Sequence, residues 1–245
     1  MSGYSRRGRA SGRRRGRRWL IALVVLVVLL VGIDFAARAV AEQVAAGQIK
    51  KQASLATKPD VTIEGFPFLT QVAARNFSDV KIGISDLKAG PVTITSIEAN
   101  ATNIKLSSYN FSSGTISQLN GTLLINFASV GNTLTTVIGP LGSLLDGAGL
   151  TVSDAGPDEI KASLNLVVTS GTATWRVTRV SADELNISLV SSSGVPSSVL
   201  DSMQNVNVRI PKLPLGLSID SVSVTPAGVV GTISGSDVPF GSNTP

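Results

Sequence analysis

The chain has 245 residues, enough for one domain with a sizeable core. Its net charge of +5 comes from eight arginines, Arg6, Arg7, Arg9, Arg13, Arg14, Arg15, Arg17 and Arg18, and the remainder carries 13 basic against 16 acidic side chains. A remainder balanced at −3 has no electrostatic footprint for nucleic acid, and the absence of cysteine and histidine excludes disulfides, thiolate chemistry, imidazole metal ligands and Ser-His-Asp catalysis.

Residues 1–18 are rich in Arg, Gly and Ser, a composition expected to be disordered and held near anionic headgroups. Trp19 to Ile33 is then unbroken by charge. As a helix it measures about 22 Å, and extension to Ala37 brings it to about 28 Å, close to a bilayer core. Eight arginines in front against the single Arg38 directly behind keep the N-terminus cytoplasmic and place the C-terminal remainder of the chain outside. Residues 19–37 read as an uncleaved anchor in the cytoplasmic membrane. A signal peptide cut near Ala39-Val40-Ala41 is the alternative, which would release the domain to a periplasm-like space.

Phe35 to Thr57 lacks proline and suits a helix, with one apolar row at Ala36, Val40 and Val44 and another at Ala45, Ile49 and Ala53. Pro59 ends it. From residue 61 the apolar period becomes two, the signature of strands with one wet and one dry face. Examples are Val80, Ile82 and Ile84; Leu123, Ile125 and Phe127; Leu164, Leu166 and Val168; Ala173, Trp175 and Val177; Leu185, Ile187 and Leu189; and Val206, Val208 and Ile210. The phase slips between Leu217/Ile219 and Val222/Val224, which predicts a bulge or bend.

Two stretches break this rhythm. Phe66 to Ala74 is expected to form a short helix carrying Phe68, Leu69 and Val72 on one side. Ala128 to Leu145 has helical spacing, with a break or kink at Gly139-Pro140. The Gly/Ser/Pro-rich sequence from Ser234 reads as a fraying tail, with residues 239–245 beyond the domain.

Two segments, residues 61–84 and 208–238, carry a family signature. Gly65 to Gln71 reads Gly-Phe-Pro-Phe-Leu-Thr-Gln, and Leu213 to Leu217 reads Leu-Pro-Leu-Gly-Leu. With the export segment, they make the chain resemble the actinobacterial LmeA-like phospholipid-binding family over about residues 35–238. The resemblance implies an α+β, mostly antiparallel fold of the tubular lipid-binding type: a long helix wrapped by a strongly curved sheet, enclosing an apolar cavity. The domain then spans residues 38–238. It also implies a protein that binds phospholipid in the cell envelope and supports elongation of the mannan part of lipoglycans. The chain is accordingly expected to be non-enzymatic, to hold acyl chains in that cavity, to need no cofactor or metal, and to have phospholipid, the cytoplasmic membrane and an envelope glycosyltransferase as partners.

The candidate lipid-contacting residues are Phe66, Pro67, Phe68, Leu69 and Val72 in the first block and Leu213, Leu215 and Leu217 in the second, with Lys212 as a headgroup contact. Ordinary core packing is the competing reading for both blocks. Asp154, Asp158 and Glu159 flank Gly156-Pro157 and admit a hydrolase reading, although acids are common in turns for local hydrogen-bonding reasons. An exported adaptor domain with a packed, lipid-free interior is the other alternative.

Overall fold

The computed structural model describes residues 13–89, 92–137, 149–165, 170–181, 184–195, 205–209 and 217–241. The first element, α1 (Arg13–Gln52), is a single helix of 40 residues that joins the apolar segment to the helix expected behind it. At about 1.5 Å per residue it is roughly 60 Å long. Lys50 and Lys51 lie in its last turn, where cations complement the helix dipole. Ser54, at φ 51°, turns the chain out of the helix, and the Leu55 amide donates to the Lys50 carbonyl at 3.0 Å.

Beyond α1 the described residues form eleven strands in two antiparallel sheets. The first sheet has the order β1-β2-β3-β4-β11-β10, formed by β1 (Asp60–Ile63), β2 (Asn76–Ala89), β3 (Val92–Leu106), β4 (Gly114–Ile125), β10 (Ser218–Thr225) and β11 (Gly228–Phe240). Between β4 and β10 the chain makes α3 (Phe127–Val137) and a five-stranded meander: β5 (Gly149–Gly156), β6 (Glu159–Asn165), β7 (Ser170–Ser181), β8 (Glu184–Ser193) and β9 (Asn205–Arg209). A short helix, α2 (Phe68–Ala74), stands between β1 and β2.

The α+β, mostly antiparallel class agrees with the sequence reading, but the strands divide between two sheets. Neither closes on itself, and neither is curled into the tube that the resemblance implies.

Several boundaries differ from the sequence reading for identifiable reasons. The Leu123/Ile125/Phe127 alternation stops at Ile125, because Asn126 caps α3 by accepting the Ser129 amide at 2.8 Å. Phe127 therefore begins a helix. The expected kink at Gly139-Pro140 and the residues Leu166, Val168 and Ile210 lie outside the described residues. Residues 234–240 are paired rather than frayed: β11 pairs with β4 as far as Phe240 opposite Gly114. Pro239 is tolerated there because β11 has run past β10, whose pairing ends at Ser218 opposite Ser234. The expected slip near Leu217–Val224 is a register shift between Ile219 and Ser221.

Three apolar clusters hold the fold. One joins α1 and α2 to the first sheet through Ala41, Ile63, Phe68, Phe77, Ala101 and Leu119. A second, with Ile94, Ile97, Leu123, Ile219 and Ile233, continues along that sheet. The third packs the meander on the end of the first sheet, bringing Ile160, Ala173, Trp175 and Val177 against Val224 and Val229. Arg179 ties the sheets together, its Nε donating to the Ile219 carbonyl at 2.6 Å.

Candidate functional site

The dry face of the first sheet explains where space is left. Cross-strand neighbours on it form rows, each containing large aliphatic residues and at least one residue with little or no side chain. The register gives Val80–Ala101–Leu119–Gly235, Ile82–Ala99–Gly121–Ile233 and Ile84–Ile97–Leu123–Gly231. The facing turns of α1 and the residue just past its end present Ala45, Ile49 and Ala53, again short residues about one long one. Small side chains on both surfaces cannot fill the gap between helix and sheet.

The result is a partly open apolar pocket of about 550 Å³. Its helix side is Ala45, Gln48, Ile49, Gln52 and Ala53, and its sheet side includes Val80, Ile82, Ile84, Ile97, Ala99 and Leu123. Phe77, Phe111, Leu217 and Phe240 also line it. Among the described residues no charged side chain does so, and the polar side chains are Gln48 and Gln52. Gln52 Nε2 donates to the Ser112 carbonyl at 3.1 Å. A site of this kind selects for hydrocarbon, because an ion entering it would lose its hydration without gaining a partner.

The Gly65–Gln71 block is built around α1 instead. Asp34, only 5% exposed, accepts the Phe68 amide at 2.9 Å and the Leu69 amide at 2.8 Å, so its carboxylate satisfies the free donors at the start of α2. Gly65 has φ +95°, and a Cβ there would lie 2.8 Å from Gln71 Nε2. That nitrogen donates to the Glu64 carbonyl at 3.0 Å, while Gln71 Oε1 accepts the Ser78 amide at 3.2 Å. Thr70 Oγ1 donates to the Pro67 carbonyl at 2.7 Å. The glycine, threonine and glutamine thus fix the loop, and the aromatic residues take up two different environments.

Phe68 is 2% exposed, 6.0 Å from the Phe77 ring, and Val72 packs against the same cluster. Leu69 is 39% exposed and Phe66 64%. The expected grouping of Phe68, Leu69 and Val72 on one side of a helix is therefore corrected: Leu69 points away from the other two. None of Phe66, Pro67, Phe68, Leu69 or Val72 lines the pocket, although Phe68 supports its Phe77 wall. In the second block Leu217 does line the pocket, whereas Lys212, Leu213 and Leu215 lie outside the described residues.

The acids at the β5–β6 turn have local partners. Asp154 Oδ1 accepts the Gly156 amide at 2.8 Å, Asp158 occupies a left-handed position at φ +60°, and Glu159 pairs with Arg176 at 2.6 Å. Sequence reasoning identifies the Ala45/Ile49/Ala53 row and the Val80/Ile82/Ile84 alternation. It misses Ala99, Ala101, Phe77 and Phe111, whose common address appears only in the strand register. The signal in the sequence is alanine at alternate strand positions, Ala99 and Ala101, where bulkier residues would be expected to fill a core.

The chain matches the LmeA-like phospholipid-binding family over residues 32–234. It is also 24% identical over 244 residues to uncharacterized mycobacterial proteins, Rv0479c of Mycobacterium tuberculosis and Mb0489c of Mycobacterium bovis, in each case across 95% of this chain and 69% of the relative. No solved structure matches it. With four-fifths of its length accounted for by that one match, the chain belongs to the LmeA-like phospholipid-binding family.

Proposed function

We propose that this chain is a membrane-anchored, non-enzymatic carrier that holds a phospholipid acyl chain in the pocket between α1 and the first sheet. The observation that carries the reading is the apolar lining of that pocket. Its volume falls within the roughly 300–1,000 Å³ of small-molecule sites. Each methylene withdrawn from water contributes about 0.8 kcal/mol, so a partly inserted chain is held usefully. In this reading the headgroup stays outside the hydrocarbon lining, near Gln48 and Gln52, the polar side chains of that lining, and the last turn of α1, which carries Lys50 and Lys51.

Trp19 to Ile33, exposed except at the half-buried Val31, is the membrane anchor in this reading, with the arginine-rich end cytoplasmic and the sheets outside. Retention of the anchor is favoured over cleavage near Ala39-Val40-Ala41. A cut there would remove Asp34, which caps α2, and Arg38, which pairs with Glu42 at 2.9 Å. The pocket begins at Ala45, 12 residues past Ile33, or about 18 Å further along the helix. A chain held there has left the bilayer, which suits cargo better than docking. Display of that lipid to a glycosyltransferase of mannan synthesis is the role that family resemblance adds.

Native mass spectrometry of the full chain, incubated with mixed phospholipid vesicles and released from detergent, tests the reading. The parent is expected to retain phospholipid. Ala45→Phe, which fills the pocket from the helix side, is expected to lose most of it with an unchanged far-UV spectrum. A parent that binds no phospholipid defeats the carrier reading and leaves an adaptor domain in its place.

A further inference from the structure

We infer that Phe35, Phe66 and Leu69 form a membrane-docking tip, lying in the interfacial layer of the same bilayer that α1 crosses. The inference rests on the reading of Trp19–Ile33 as a membrane span. The Phe35 and Phe66 rings stack at 6.3 Å and the two residues are 58% and 64% exposed, and Leu69, three residues on from Phe66, is exposed as well. Exposed stacked phenyl rings are unusual on a surface that meets only water, since each could be buried at a gain.

The position of the tip identifies its occupant. Phe35 is two residues past Ile33, where the uncharged run ends, and so lies about 3 Å further along the helix, in the last turn of the 19–37 anchor. Phe66 and Leu69 are brought to that level by Asp34, which holds the amides of Phe68 and Leu69 at 2.9 and 2.8 Å. Because the carboxylate is buried and accepts two hydrogen bonds, the tip is fastened to the helix at one height.

The next turn changes character. Arg38 pairs with Glu42 at 2.9 Å and reaches Glu64 at 3.9 Å, and Glu64 also pairs with Lys81 at 3.1 Å. Apolar span, aromatic tip and charged collar thus succeed one another along α1, in the order of hydrocarbon, interface and water. A contact made by α2 as well as α1 fixes the tilt and rotation of the domain on the membrane, which one helix crossing alone leaves free.

The chain has no cysteine, so single labelling sites can be introduced without background. Phe66→Cys, Leu69→Cys, Leu26→Cys and Val190→Cys would each carry an environment-sensitive fluorophore in the full chain. The proteins would be reconstituted into phosphatidylcholine–phosphatidylglycerol vesicles with spin-labelled lipid quenchers placed shallow or deep. Val190 is exposed on β8, which belongs to the other sheet and shares no apolar cluster with α2. Labels at 66 and 69 are expected to shift blue and to lose fluorescence to the shallow quencher. A label at 26 should lose it to the deep quencher, and one at 190 to neither. Quenching at 26 with none at 66 or 69 overturns the tip and leaves the span. No quenching at 26 overturns both. A blue shift at 66 and 69 without lipid quenching means that the tip is covered by protein, and also overturns the inference.

Discussion

The two sheets are made from similar sequence and do different things with it. Both read as alternating strands, and both bury one face. In the meander the described part of that face is filled by large side chains: Trp175 and Ile160 stand in register, with Val177 next along β7, and all three are buried in a cluster with Val224 and Val229. On the first sheet, the rows that line the pocket contain Ala99, Ala101, Gly121, Gly231 and Gly235, and they are answered by Ala45 of α1 and by Ala53 just past its end. A packed core and a pocket therefore differ here in side-chain volume rather than in pattern. Hydrophobicity alone decides which face is dry, and volume decides whether that face has room for a guest.

Deleting the largest side chain of the filled core gives the most severe test of the contrast. Trp175→Ala is expected to destabilise the protein by about 3–5 kcal/mol, because the meander has no other residue of that size to close the space. Chemical denaturation followed by far-UV circular dichroism measures it. A loss below about 1 kcal/mol would mean that the meander is loosely packed and that the contrast is false.

The same enlargement made in each sheet sharpens the contrast. Ala173 is 2% exposed in the filled core, so Ala173→Leu should overpack it and cost about 1–3 kcal/mol. Ala99 lines the pocket, so Ala99→Leu should change stability by less than about 0.5 kcal/mol while lowering bound phospholipid several-fold. Thermal unfolding paired with lipid extraction reads both effects. Equal destabilisation by the two substitutions would show that the first sheet is packed as tightly as the second.

Legibility in the sequence divides along the same line. The one-dimensional signals carry through: charge and hydropathy locate the apolar helix, period two locates most strands, and the phase slip after Leu217 appears as a register shift between Ile219 and Ser221. Expectations that required a third dimension fail. Phe68 and Leu69 are both apolar neighbours in one block, yet Asp34, more than thirty residues earlier, sets the orientation that buries one and exposes the other. Nothing local to Asp34 distinguishes a helix cap from an inconvenient charge at the end of an apolar run. The division into two sheets is equally hidden, because it depends on β11 returning to β4 across the whole inserted meander. The Ser234 segment reads as a fraying tail when Gly, Ser and Pro are weighed as turn formers, while Ile233 and Val238 supply apolar anchors buried in the clusters around α1 and β10.

The smallest effect is expected where the hydrolase alternative would require the largest. Asp154, Asp158 and Glu159 sit at the β5–β6 turn of the filled sheet, and each has a structural reason to be there. Asp154 accepts a backbone amide two residues ahead, Asp158 adopts a left-handed conformation that aspartate and asparagine tolerate, and Glu159 forms a half-exposed pair with Arg176. Amide isosteres preserve the first two roles. The third is a surface ion pair of about 0–1 kcal/mol, discounted further by solvent screening. The combined variant Asp154→Asn, Asp158→Asn, Glu159→Gln should therefore keep its phospholipid load and lose no more than about 1 kcal/mol of stability. Lipid analysis by native mass spectrometry, a melting curve and complementation of a deletion strain measure these outcomes together. A variant that folds, carries lipid and fails to complement would return the three carboxylates to an active site. Full complementation with an unchanged lipid load would place the function in the pocket of the other sheet.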